Sequence, residues 1–300
     1  MRDESGVHTT RLVCTPQAVC RIPNLAIHLN RKVNDEGLVL NKHKHLSPVL
    51  MSWQADQKEA VSYVKQWLAD LAQCEVDQIQ GHDLCLFDAQ LAAFSGLNGE
   101  YLQCGRLDNL ASSYHGLSSL LAQDQACSHT RLLSLFDHEE VGSCSSRGAD
   151  STFLGDILIR LVDGNSVDLT RLVQSSHQVS ADMAHAVHPH YADLHDGTHQ
   201  PWMNRGPVIK NNVNTRYATD GCTSAVFRQA CQAVGVEYQE FVNRPDLACG
   251  STIGSITAAR LGVPTVDVGN PMWSMHSIRE MTGTTDQIKM HQVLTHFFSM

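Results

Sequence analysis

Four segments of the 300-residue sequence carry side chains able to do metal or acid–base chemistry. They are RLDNL (Arg106 to Leu110), FDHEEVGS (Phe136 to Ser143), SADMAHAVHP (Ser180 to Pro189) and GNPMWSMHS (Gly269 to Ser277). Each alone is weak. A Glu-Glu pair is more often a solvated surface pair, and an Asp after a strand is more often a cap or turn former. His185 and His188 are three apart, a ligand spacing on a helix. Pro189 keeps any helix there short, which favours supporting hydrogen bonds instead. Together the segments say more. Carboxylates and an imidazole suit a hard-to-borderline divalent metal such as zinc. On a strand, Glu139 and Glu140 would point to opposite faces; at a bend, both can reach one site. One can then coordinate metal while the other takes a proton from the attacking water, the division of labour in two-metal hydrolysis.

The elements that must position these residues follow from periodicity. From about Gly96, strands and helices alternate. Arg131 to Phe136 reads as a buried strand, Ser151 to Val162 as a helix, and Pro264 to Val268 as a strand. Thr219 or Asp220 caps a helix ending before Gly235, and Ser251 to Leu261 repeats the device with Gly262 as the stop. A last helix runs from about Asp286, with Ile288, Val293, Leu294 and Phe297 as its apolar set. This alternation predicts an α/β fold with helices on both sheet faces. Such sheets bind ligands at the carboxyl ends of strands, where the four segments fall. The texture before Gly96 differs. Short apolar runs at Arg11–Cys14, Leu25–Leu29, Pro48–Met51 and Asp83–Phe87 predict strands, and Val61, Val64, Leu68 and Leu71 predict a helix from about Asp56 to Gln73.

Composition excludes several classes. With 42% hydrophobic and 18% charged residues, the chain can bury a core. Its net charge of −9 lacks the basic field of a general nucleic-acid binder. The 17 His residues favour a metal site. Ten Cys are scattered, none in a C-x-x-C pair, and read as mostly buried free thiols in a reducing compartment. MRDESGVHTT has no basic region followed by an apolar stretch, and no run is long enough to span a bilayer. A cytoplasmic protein with neither a membrane nor a nucleic-acid partner is expected.

Seven motifs in order resemble the aspartyl aminopeptidases, a family of dinuclear zinc exopeptidases. They are RIPNLAIHLNR (Arg21 to Arg31), RLDNL, FDHEEVGS, SADMAHAVHP, GPVIKNNVNTRYATD (Gly206 to Asp220), CGSTIG (Cys249 to Gly254) and MHSIREM (Met275 to Met281). The resemblance implies an α/β/α zinc-exopeptidase sandwich, here residues 96–300, with a strand-rich dimerisation domain, here 1–95, inserted into it. It implies Glu139 as general base, Asp108 as the carboxylate bridging two zincs, and Glu140, Asp182 and His276 as further metal ligands. Lys210 would sit in the substrate pocket, where a cation suits an acidic N-terminal residue. His28 would act in a neighbouring subunit's site. The implied activity is release of N-terminal Asp or Glu from peptides by a homo-oligomer, dodecameric in the family.

The resemblance also sets limits. The family's chain extends further at its N-terminus, where a His-x-Asp motif supplies a zinc ligand with no counterpart here. One zinc would keep Asp108, Glu140 and His276. The other would keep only Asp108 and Asp182, fewer than the usual three protein ligands, and should bind weakly. An uncovered apolar face is expected as well. A non-catalytic oligomerisation or regulatory subunit of the same family is the alternative reading.

Overall fold

The computed structural model describes residues 1, 6–15, 17–52 and 57–300, without the Gln57 side chain. They divide into two compact units, Met1–Ala89 and Gln90–Met300. Asp56, the expected helix start, lies outside the described residues.

The first unit is not strand-rich. Its elements are the short helices α1 (Val33–Glu36) and α2 (Lys42–His45), and the longer α3 (Gln57–Ala72). The expected strands at 11–14, 25–29, 48–51 and 83–87 form no ladder; an isolated antiparallel bridge joins Arg21 to Val49. Apolar runs become strands only when a partner satisfies their backbone and covers a face. Here Leu12, Leu25 and Leu29 stay exposed. Helix α3 forms where the three- and four-residue apolar spacing places it and buries Leu68 and Ala69.

The second unit runs β1 (Ala93–Ser95), β2 (Tyr101–Cys104), α4 (Leu107–Leu121), α5 (Phe153–Leu161), α6 (Ser166–Gln174), β3 (Gln178–Ala181), β4 (Ala184–His185), β5 (Val208–Asn211), α7 (Gly221–Ala233), β6 (Gln239–Val242), α8 (Ile253–Leu261), β7 (Thr265–Gly269), β8 (Pro271–Trp273), β9 (Glu280–Gly283) and α9 (Thr284–Phe297). A four-stranded sheet has the order β3-β7-β5-β6, and a five-stranded sheet the order β1-β2-β9-β8-β4. Val266 and Val268 of β7 join Ile209 of β5, Phe227 of α7, and Met290 and Val293 of α9 in the main core. Asp267 alternates with those valines and so faces the other side of the sheet, where Thr252 at the start of α8 donates to it at 2.6 Å. A Cβ on Gly254 would collide with the Asp267 carboxylate, so only glycine allows this approach. Helices therefore cover both sheet faces.

The capping signals work as read at the start of α7 and the end of α8, whereas α8 opens after Thr252 with no side-chain cap bond. Asp220 accepts from the Thr223 N–H at 2.7 Å in a capping box that opens α7, and Gly262 ends α8 at φ 74°. Two expectations fail. Residues 131–136 lie against α4, with Leu133 beside Gly116, but pair with no strand among the described residues. The cysteines are free but not mostly buried: Cys231 is buried, while Cys14, Cys85, Cys127, Cys144 and Cys222 are exposed. Short apolar runs around a cysteine do not by themselves place it in a core. Leu110, Tyr114, Leu117 and Leu121 form one exposed stripe on α4 at three- and four-residue spacing.

Asp286, fully buried in the first turn of α9, accepts from the backbone N–H groups of Asn204 at 2.5 Å and Gly206 at 2.8 Å. Asp286→Ala strips both donors of their acceptor and is expected to cost about 2–4 kcal/mol in urea denaturation. Burial raises its pKa from 3.8 to about 6, against the lowering pull of those hydrogen bonds. The folded state thus holds this proton more tightly than the unfolded chain. The proton-linked part of its contribution to stability is present below about pH 4 and is lost as pH rises through about 6, while the two backbone hydrogen bonds remain.

Candidate metal centre

Asp108 follows β2 at the start of α4, where Arg106 turns the chain at φ 58°. Glu139 and Glu140 occupy a single 3-10 turn, Glu139–Val141, bounded by left-handed His138 and Gly142. That turn is the bend that lets adjacent glutamates face one cleft. His276 stands in the β8–β9 loop at φ 65°, and Asp182 directly follows β3. Asp108, Glu140 and His276 each offer a ligand atom, all within 4.8 Å of one another. His276 Nε2 lies 3.0 Å from Asp108 Oδ2 and 3.2 Å from Glu140 Oε2. Asp108 is nearly enclosed, while the other two side chains are more than half exposed.

Beside them opens a cleft of about 360 Å³, lined also by Glu139, Asp182, Lys210 and Tyr217. Lys210 is a buried residue of β5, not an exposed loop lysine. Its ammonium pairs with Asp182 at 3.1 Å and lies 5.5 Å from the centre of the Tyr217 ring. Both partners offset part of the water that a buried ammonium loses. His185 lines the cleft, and the His188 ring makes tilted contacts with Tyr191 and Trp273. His28 sits exposed in a 3-10 turn of the first unit, Ile27–Leu29.

Carboxylates outnumber cations in this cleft. Burial first, then the charge of Asp182, raises Asp108 from 3.8 to about 8. Burial and the same neighbour raise Glu139 from 4.5 to about 7, opposed by Lys210 and His276. Asp108 Oδ1 is buried without a hydrogen-bond partner. An orphaned carboxylate oxygen, a second carboxylate and an imidazole at one point fit a divalent metal, zinc by their donor types. That set leaves a position open for water or substrate.

Two contributors are not evident from residue type alone. Tyr217 lies seven residues after Lys210 and reaches the same cleft; burial raises its pKa. Asp267 accepts from the Ala218 N–H at 2.6 Å as well as from Thr252, tying together two loops that line the cleft. The only sequence signal for Asp267 is a lone acid inside an apolar strand.

An α/β fold with a carboxylate–imidazole cluster at strand ends defines a metallohydrolase-like protein. The chain belongs to the aminopeptidase I zinc metalloprotease family (M18), whose profile matches residues 1–298. It is 49% identical over 295 residues to a probable M18 family aminopeptidase 2 of Pseudomonas putida KT2440, covering 98% of this chain and 68% of that one. It resembles a chain of the Ape4 and Nbr1 complex solved by cryo-EM, with a TM-score of 0.91 and 32% identity, over 99% of this chain and 61% of that one. It also resembles the S. cerevisiae mApe1 dodecamer, with a TM-score of 0.80 and 26% identity, over 99% of this chain and 67% of that one. The chain thus spans about two thirds of the length of these relatives. No helix among the described residues is long and apolar enough to cross a membrane.

Proposed function

We propose that this chain carries the catalytic unit of a zinc aminopeptidase that releases N-terminal Asp or Glu from peptides. One observation carries the reading: three metal-ligand side chains meet within 4.8 Å in a cleft that also holds a spare glutamate and a buried lysine. Asp108, Glu140 and His276 would hold one zinc. Asp108 and Asp182 would contribute to a second, weaker site. Zinc there would supply Lewis acidity toward the scissile carbonyl. Glu139 is the general base: its carboxylate takes a proton from the attacking water and returns it to the leaving amine. Burial and neighbouring carboxylates hold it near neutrality, which suits both halves of that exchange. Lys210 provides the positive charge that an acidic first residue would meet.

Membership of the M18 family and likeness to a dodecameric relative support a homo-oligomer. We assign dimerisation to residues 1–95 and peptidase chemistry to 96–300, and place His28 in a neighbouring subunit's site. Anilides of Asp, Glu and Leu test the substrate assignment. Asp and Glu should be cleaved in preference to Leu, and Lys210→Met should lose that preference while Leu cleavage changes less. Equal cleavage of all three by the parent chain rejects acidic specificity.

A further inference from the structure

Glu280 is the first residue of β9 and is 2% exposed. Its side chain turns toward the cluster yet offers no atom to it. Instead its two oxygens accept from two backbone groups. One takes the Asp108 N–H at 3.0 Å; the other takes the His276 N–H at 2.7 Å. Those residues stand 168 positions apart (276 − 108), in the first turn of α4 and the β8–β9 loop. Both supply candidate ligand atoms. A single carboxylate therefore fastens two of the three ligand-bearing backbones to one strand end.

We propose that Glu280 is a positioning residue for the metal: it sets the spacing of Asp108 and His276, and through that spacing the affinity and geometry of the site. The inference rests on the metal reading of Asp108, Glu140 and His276. The physical case has three parts. First, neither ligand backbone follows regular geometry: Asp108 departs from the helix at φ −80°, ψ 110° in the first turn of α4, and His276 lies in a loop. Arg106 (φ 58°), Ser274 (φ 58°) and His276 (φ 65°) adopt left-handed conformations that ordinary residues seldom take unaided. Backbone bonds from the Leu110 N–H to the Arg106 carbonyl and from the Ser277 N–H to the Ser274 carbonyl close these turns, and the Glu280 hydrogen bonds tie them together at the ligand residues themselves. Second, a carboxylate is an all-acceptor group and can serve two N–H donors at once. Glutamine has one acceptor oxygen, and its NH2 would face the other N–H. Aspartate is one methylene shorter and cannot keep both distances. Third, β9 is the inner neighbour of both β2 and β8, the strands that lead into the two loops. The clamp is therefore anchored to the strand that fixes both. Partners behind metal ligands commonly change affinity by about 10- to 100-fold when lost.

The test uses the full chain and Zn2+ alone, with affinity read by competition against a chromogenic chelator. The visible spectrum of the Co2+-substituted protein reports ligand geometry. Glu280→Gln and Glu280→Asp should each weaken zinc by about 10- to 100-fold and alter the Co2+ spectrum, in protein that remains folded by circular dichroism. Glu280→Ala should be weaker still; if it fails to fold, the two conservative variants carry the test. Asp286→Ala, destabilised at a site away from the cluster, is the control. It should bind zinc as the parent does. If it loses as much affinity as Glu280→Gln, the effect is one of general stability and the inference falls. Parent-like affinity and spectrum in both conservative variants overturns it too. If the parent binds no zinc, or His276→Ala binds as well as the parent, the metal reading itself is wrong, a distinct failure.

Discussion

Glu139→Gln is expected to lower turnover of an acidic-N-terminal anilide by about 10²–10⁴-fold, the usual yield of one general base. Zinc content should survive. The substitution keeps the shape of the side chain and removes its ability to accept a proton. Glu139 and Glu140 share one 3-10 turn but differ in environment. Burial and surrounding carboxylates raise the Glu139 pKa to about 7, whereas Glu140 lies beside the His276 ring with its side chain more than half exposed. Glu140 is the one whose oxygen falls within the candidate ligand set. If the two glutamates divide the work this way, their variants separate cleanly. Glu139→Gln loses chemistry and keeps metal; Glu140→Gln loses metal first. The decisive pair of measurements is zinc stoichiometry and single-turnover cleavage on the same preparation. Retained turnover in Glu139→Gln removes it as the base. Lost zinc in that variant would make it a ligand instead.

How much of this was legible depends on the range of the interaction. Local signals read correctly. Asp220 caps α7, Gly262 stops α8, and β7 appears where an apolar run follows Pro264. These need only neighbours within one turn. Strand pairing needs a partner that sequence does not name. Residues 131–136 and the runs of the first unit have strand-like composition and no ladder. Periodicity states which face is apolar, not whether anything covers it, as the exposed stripe on α4 illustrates. The site divides likewise. Acidic and histidine-bearing clusters marked the four segments as a group, and the family resemblance singled out Asp108, Glu139, Glu140, Asp182 and His276 within them. The burial of Lys210 and the reach of Glu280 depend on contacts between residues far apart in the chain. Glu280 lies inside MHSIREM, four residues after His276, yet nothing in that spacing reveals an acceptor shared with Asp108.

His276→Ala and Glu140→Ala should reduce zinc affinity by more than the loss expected at supporting positions, with little change in the stability of the metal-free chain. The two halves of that expectation come from one observation. The His276 side chain is 62% exposed and that of Glu140 is 53% exposed. Side chains this exposed keep most of their water and bury little surface, and the exposed His276–Glu140 contact contributes about 0–1 kcal/mol at most, so neither residue does much for the fold. Their close approach to Asp108 is therefore not explained by stability. Asp108 behaves differently, because its carboxylate is enclosed and one oxygen has no partner. Asp108→Ala should lose zinc and also alter the fold's stability, while Asp108→Asn keeps the volume and isolates the loss of charge. Chelator competition together with urea denaturation of the metal-free protein measures both axes. Large destabilisation by His276→Ala or Glu140→Ala, with zinc affinity intact, would recast the cluster as a structural network. Loss of zinc without loss of stability leaves metal binding as the reason these three side chains converge.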